Sequence, residues 1–178
     1  MPFAVVLYFD SQSGKTIRQV WDQINASGLT ANMQEAGFRP HITLAVYDQL
    51  ACQPCETVLA DIAAHTHLIP LQMHHLGIFS QPEPVIFVAP IPTIELLMFH
   101  QSVVETLSAD GSQPRDIYQP GVWIPHCTLA IGFDPHNLPE LIRISMNLEL
   151  PLDVRIDQLG VVEYQPLKDI FKYDLAPD

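Results

Sequence analysis

Hydrophobic residues change their period repeatedly along this chain, and each change marks an element. Residues 3–9, FAVVLYF, form an unbroken apolar run rich in valine and aromatic residues between Pro2 and Asp10, which predicts a strand. Ile17, Val20, Trp21 and Ile24 then recur at helical spacing and stop near Gly28, predicting a helix. Residues 41–47 return to strand character, and a second helix is expected over about 52–66 with Val58, Leu59 and Ile62 turned inward. Strands at about 69–79 and 84–89 are separated by the turn material SQPEP. A third helix, with Pro92 near its start, carries an apolar face through Ile94, Leu97, Val104 and Leu107. A loop rich in Gly and Pro over 110–121 leads to a strand at about 126–132, and PHNLPELIRISMNL reads as a shorter helix. Two antiparallel strands, at about 152–163 and 168–174, follow with a turn near Gln165–Pro166.

The two halves of this pattern resemble each other, and they share a phrase. RPHITLAV at 39–46 and IPHCTLAI at 124–131 lie 85 residues apart and agree at six of eight positions, counting Val for Ile. A repeated set of helix, phrase-bearing strand and helix is the signature of an internal duplication. Two α+β lobes related by an approximate two-fold would bring equivalent strands together and let both phrases face one cleft. Side chains alternate along a strand, so His41 and Thr43 point one way while Ile42 and Leu44 point the other. The same rule pairs His126 with Thr128 and turns Cys127 and Leu129 toward the core. Pro40 and Pro125 favour an extended backbone before them and offer no N–H, which suits the entrance to an edge strand.

Two imidazoles and two hydroxyls around one anion form a workable acid–base set. Histidine titrates near pH ~6.5, so one ring can accept a proton while its twin donates one. Threonine hydroxyls can hold the non-bridging oxygens of a phosphoryl group. The competing structural reading is two satisfied histidines and a pair of cross-strand threonines; duplication weighs against it.

Composition limits what this cleft takes. Of 178 residues, 48% are hydrophobic and 16% charged, which argues against disorder, and net charge is −12 from 20 acidic residues against eight Lys and Arg. A long nucleic acid needs a run of cations, so this balance disfavours one; it leaves room for a local pocket holding one phosphate, or a short RNA end. No apolar run reaches membrane-spanning length, MPFAVVLYFD lacks a basic leader, and three cysteines imply no disulfide framework. A cytoplasmic monomer without membrane association is the expectation.

These residues resemble the 2H phosphoesterase superfamily, which includes the bacterial 2'-5' RNA ligase-like proteins and the RNA 2',3'-cyclic phosphodiesterases. The resemblance rests on His41-Ile42-Thr43-Leu44, His126-Cys127-Thr128-Leu129 and the intervening LGIFSQPEPVIFVAP, and it covers nearly the whole chain. It implies an α+β, bilobal, pseudo-two-fold duplicated fold with antiparallel sheets lining a central cleft. Residues 1–178 then form a single domain of two intertwined lobes. It further implies hydrolysis of a 2',3'-cyclic phosphate, at an RNA end or on a small nucleotide, with no cofactor and no metal. In that reading His41 and His126 are the acid and base, their order left open, and Thr43 and Thr128 orient the phosphate. Alternatives are 2'-5' RNA ligation or a nucleotide- or RNA-end-binding module with weak turnover; a purely structural interaction protein leaves the paired motif without a role. Arg39, beside the first motif, Phe79 in the middle segment and Tyr118 before the second motif are candidate substrate-binding residues. Lys15, Arg115 and Lys172 are weaker cationic candidates, and Trp123 reads as packing.

Other features carry less. Cys52-x-x-Cys55 with His65-x-His67 holds enough ligand types for zinc, yet two histidines two residues apart do not share a helix face. Cys127 reads as a small core residue. His74, His75 and His100 read as packing, surface or an undefined polar network.

Overall fold

A computed structural model describes residues 2–177 apart from 31–32, 34–35, 51, 110 and 165–166; the turn expected near Gln165–Pro166 lies outside the described residues. The elements run β1 (Phe3–Phe9), α1 (Ser11–Ser27), β2 (His41–Tyr47), α2 (Cys52–His65), β3 (Ile69–Phe79), β4 (Val85–Pro90), α3 (Ile94–Leu107), β5 (Cys127–Ile131), α4 (Leu138–Ser145), β6 (Leu152–Tyr164) and β7 (Leu167–Asp174). Short 3-10 turns occupy Asp116–Tyr118 and Pro135–Asn137. Both ends of α1 are set by local chemistry: Asp10 accepts the Ser13 amide at 2.6 Å, and Gly28 closes the helix at φ 69°, where a side chain would be strained.

All seven strands join one open antiparallel sheet in the order β2-β1-β6-β3-β4-β5, with β7 added along β6. The 13-residue β6 makes this continuity possible. Its first part pairs with β3, from Leu152↔Met73 to Ile156↔Ile69, and its remainder pairs with β1 on one edge and β7 on the other. The sheets expected for two lobes are therefore joined through a shared strand. Each half repeats one plan: β2 flanks β1 as β5 flanks β4, and the motif strands occupy the two ends of the sheet. Those ends come together, since β2 and β5 touch, and each is covered by the other half's helix, α3 on β2 and α1 on β5.

Burial follows the expected faces in α1, where Ile17, Val20, Trp21 and Ile24 enter the core. The third helix corrects the sequence reading. Its buried residues are Leu96, His100, Val103, Val104 and Leu107, whereas Ile94 and Leu97 stand out in solvent. A histidine occupies a core position in α3, so hydrophobicity alone misplaces part of the buried face. In α2, Cys55, Leu59 and Ala63 are buried, and Val58 and Ile62 pack at the margin.

Gly77 illustrates how the sheet shapes the region near the second motif. It pairs with Phe87, whose ring lies across it so closely that an added Cβ would come within 2.3 Å of ring carbon. Gly77→Ala is expected to cost about 1–3 kcal/mol, as an overpacked core does. Chemical denaturation will check this value, and an unchanged midpoint would show that the ring moves aside freely.

Candidate active site

Both motif strands carry the same irregularity. Val5 pairs with Ala45 and Val6 with Thr43, so Leu44 is an extra residue in β2; Ile86 pairs with Ala130 and Phe87 with Thr128, so Leu129 is extra in β5. A bulge bends its strand and frees backbone groups from the ladder. Here the motif leucine is the extra residue in each copy, and both strands share the burial sequence intermediate, buried, intermediate, buried, buried from histidine to alanine. His41 and Thr43 stand opposite Tyr8 and Val6, on the face of the sheet away from Ile42 and Leu44. Thr128 stands opposite Phe87.

The carbonyls at these bulges are met from across the cleft. Trp123 Nε1 donates to Thr43 O at 2.9 Å, while Trp21 Nε1 donates to Thr128 O at 3.1 Å. Each indole therefore clasps the opposite motif at its threonine. Leu44 O accepts from His100 Nε2 at 3.0 Å, a donor shared with Tyr118 O at 3.1 Å. His100, only 2% exposed, stacks on Trp123 with ring centroids 4.0 Å apart and planes 5° apart. Its acceptors are carbonyls, so Nε2 carries the proton, and burial holds the ring's pKa below the ordinary value against the pull of those two bonds.

The motif histidines are held by matching bonds. His41 Nδ1 donates to Arg39 O at 2.6 Å, and His126 Nδ1 donates to Ile124 O at 2.7 Å, each two residues back. A carbonyl only accepts, so Nδ1 is the protonated nitrogen and Nε2 is the nitrogen outside these bonds. Burial lowers the pKa of His41 in spite of the Arg39 carbonyl, and the charges of His126 and Arg39 lower it further. Burial likewise lowers His126 against its bond to Ile124 O. Burial pushes the Cys127 thiol up to about 12, although the His41 backbone amide faces its sulfur. Cys127 is a core residue, as its strand face suggested, and at that pKa it is no nucleophile.

With this geometry in view, the comparisons with known proteins are specific. The family model of the 2'-5' RNA ligase superfamily matches residues 48–166, two thirds of the chain, including the second motif and stopping short of the first. The chain belongs to the 2'-5' RNA ligase superfamily, the 2H phosphoesterases. No curated protein matches by sequence. Among solved structures, a Thermus thermophilus protein is 15% identical with a TM-score of 0.64, all of both chains being covered. E. coli LigT is 11% identical at TM-score 0.62, covering 98% of this chain and 97% of its own. Kluyveromyces marxianus Usb1 is 13% identical at TM-score 0.54, covering 95% and 97%. At these identities the likeness establishes the shared α+β fold.

Within this 2H phosphoesterase fold the remaining candidates divide. Arg39 lies with its guanidinium 4.3 Å over the Tyr8 ring and donates Nη1 to Gln158 Oε1 at 2.9 Å. Phe38 stacks on His41 at 5.8 Å, and Tyr8 meets it edge-on at 6.2 Å. Phe79 joins the second motif: its ring meets His126 edge-on at 4.9 Å and lies 4.3 Å from Phe87. Tyr118 packs against the Ala4, Val6, Tyr8, Val46 and Val162 cluster, and its carbonyl serves His100. Lys15 is exposed on α1, Arg115 is paired with Asp48 at 2.6 Å, and Lys172 lies 3.5 Å from Asp169. Trp123 is packed, as read, but it is also one of the two clasps. The side chain of Cys52 lies outside what is described, Cys55 is buried, His65 bonds Asp61 O, and His67 bonds Pro177 O. Among the described residues no group of His, Cys, Asp and Glu could hold a metal ion, and no helix is long and apolar enough to cross a membrane.

Sequence reasoning missed Trp21, Tyr8, Phe38, Phe87 and the role of His100. Trp21 precedes its motif by 20 residues and Trp123 precedes the other by three, so the repeat does not predict that they play matching parts. Trp21→Phe and Trp123→Phe each keep a ring and remove the donor, leaving a carbonyl unpaired. The expected loss is about 1–3 kcal/mol for each, read by denaturation, with non-additive loss in the double variant as a check of coupling between the strands. Strict additivity would show two independent contacts.

Proposed function

We propose that this protein is a metal-independent phosphodiesterase that opens a 2',3'-cyclic phosphate, at an RNA end or on a small nucleotide, by two-histidine acid–base catalysis. The observation that carries the reading is the matched pair of histidines, each fixed through Nδ1 to a carbonyl two residues back, on strands that meet across the cleft. With Nδ1 occupied, one Nε2 takes a proton from water as its oxygen bonds to phosphorus. The other Nε2, protonated, hands its proton to the departing ribose oxygen. Thr43 and Thr128 supply hydroxyls to the non-bridging oxygens, and the indole clasps keep those threonines from drifting apart. Superfamily membership supports phosphodiester chemistry. Among the structural neighbours, E. coli LigT has been solved with 3'-AMP and with ATP, and Usb1 with uridine monophosphate, which supports a nucleotide ligand here. Arg39 and Phe38 beside His41, with Phe79 beside His126, are the residues we assign to contact it. Net charge of −12 favours a short substrate over a long chain.

Purified protein in EDTA is expected to convert a nucleoside 2',3'-cyclic phosphate to a monophosphate, followed by phosphorus NMR. His41→Ala and His126→Ala should each lower kcat/KM by about 10²–10⁴-fold, the usual worth of a general acid or base, with circular dichroism unchanged. Unchanged turnover in either variant refutes the two-histidine mechanism, and saturable binding without turnover in the wild type would make the protein a binding module.

The pH dependence follows from the surroundings of the pair. The base must be neutral and the acid protonated, so kcat/KM falls at low pH as the base takes a proton and at high pH as the acid loses one. Both rings are held below the ordinary value of about 6.5, so the free-enzyme optimum should lie on the acid side of it. A bell centred at about pH 8 would show that other groups titrate.

A further inference from the structure

The two ends of the cleft differ in chemistry. Around His41 lie Arg39, Phe38, Tyr8 and Gln158: a cation, aromatic rings and an amide. Beside His126 a groove of about 470 Å³ opens between α3, the end of β4 and the loop before β5. Ile124 and Pro125, the residues that lead into His126, form one wall, and the Ile124 carbonyl is the one that orients the imidazole. Leu97, Met98 and Ile94 form the other wall. The groove and the histidine thus share a wall.

Among the described residues no Asp, Glu, Lys or Arg lines this groove. Its polar lining is His75, His100 and Gln101, so a second phosphate would meet no Lys or Arg there, which disfavours continuation of a nucleic-acid chain on that side. Its apolar side chains are left open to water: Ile94 is 71% exposed, Met98 65% and Ile124 50%. Ile94 and Leu97 are the residues that helical periodicity placed in the core, and a solvent-facing apolar cluster beside a reactive group marks a binding surface. Aliphatic side chains, methionine and proline make up most of the walls. Trp123, the one indole among them, is 7% exposed and already stacked on His100, so it offers no free face to a base. A flexible, non-stacking hydrocarbon fits such walls, with Met98 as an adaptable contact.

We propose that the groove binds an uncharged aliphatic group esterified to the phosphate, making mixed diesters of a nucleotide and an aliphatic alcohol substrates of this site. The inference rests on the hydrolase reading above and fixes the direction of the substrate: the nucleoside lies on the His41 side and the alkoxy group on the His126 side. Water's oxygen bonds to phosphorus and its proton passes to His41 Nε2. The phosphorus–oxygen bond to the alcohol breaks, and His126 gives that oxygen its proton, so atoms and charge balance without a redox partner.

The test uses methyl, n-butyl and n-hexyl esters of adenosine 3'-phosphate with the full chain. Calorimetry should show affinity rising about three- to fourfold per methylene until the groove is filled, the equivalent of ~0.8 kcal/mol per buried CH₂. Met98→Asp and Leu97→Asp, both at exposed positions, should flatten that rise while leaving the methyl ester and the cyclic phosphate within about twofold. The Met98 methyl resonance should move with the hexyl ester and stay still with adenosine, and hexanol should be released. A flat series, an adenosine-induced shift at Met98, or binding without release of hexanol each overturns the proposal. A chain-length series that holds in a protein unable to open the cyclic phosphate would instead sink the hydrolase reading for cyclic substrates and leave the groove assignment standing.

Discussion

Backbone carbonyls at the bulges of the two edge strands accept hydrogen bonds from side chains outside their own half of the repeat, and this protein depends on those bonds. Thr43 O and Leu44 O of β2 are met by Trp123 and His100, and Thr128 O of β5 by Trp21. Every one of these donors comes from the opposite half of the repeat. An unpaired buried carbonyl costs on the order of 1–3 kcal/mol, so each half is incomplete until the other closes on it. That dependence explains why the ends of an open seven-stranded sheet lie together, and why two histidines 85 residues apart sit on strands that touch. The bulge is the link between folding and chemistry: it re-aims the motif side chains and supplies the acceptors that hold the motifs in place.

The duplication makes two similar histidines, and their surroundings make them different. Both donate Nδ1 to a carbonyl two residues back, and burial depresses both. His41, however, also feels the charge of His126 and, less strongly, of the Arg39 guanidinium, both of which oppose its protonated form, and it stacks against Phe38. His126 sits against Phe79 and Phe87, and the Ile124 and Pro125 that precede it line the aliphatic groove. Burial first, and then these charges, bias the His41 ring toward its neutral form. The near-identical phrases leave the order of acid and base open, and the surroundings that differ lie outside the shared His-x-Thr-Leu core.

Much of the fold was legible because periodicity reports burial. The strands at 3–9 and 69–79 and the buried face of α1 follow directly from it, and the repeated phrase located both motif strands. The reading failed where a polar residue sat inside or an apolar residue sat outside. His100 occupies a core position in α3, so Ile94 and Leu97 were assigned to the wrong face. The bulges at Leu44 and Leu129 were invisible, because alternation from His to Thr ends before the extra residue begins. The clasps were equally hidden: hydrogen bonds across 107 and 80 residues leave no spacing to read. Tyr8 and Phe87 looked like ordinary strand residues until pairing put Tyr8 opposite His41 and Phe87 opposite Thr128.

His100 connects these levels most closely. Its Nε2 proton is shared between Leu44 O and Tyr118 O, and its ring supports the indole that holds Thr43. Burial favours its neutral form, which suits a ring packed flat on Trp123. The same residue lines the aliphatic groove. One buried side chain therefore touches the bulge, the clasp and the groove, and a change in how α3 seats His100 would reach the first motif without contacting substrate. A histidine that hydrophobicity treats as an interruption of the helix face is what joins that helix to the motif strand.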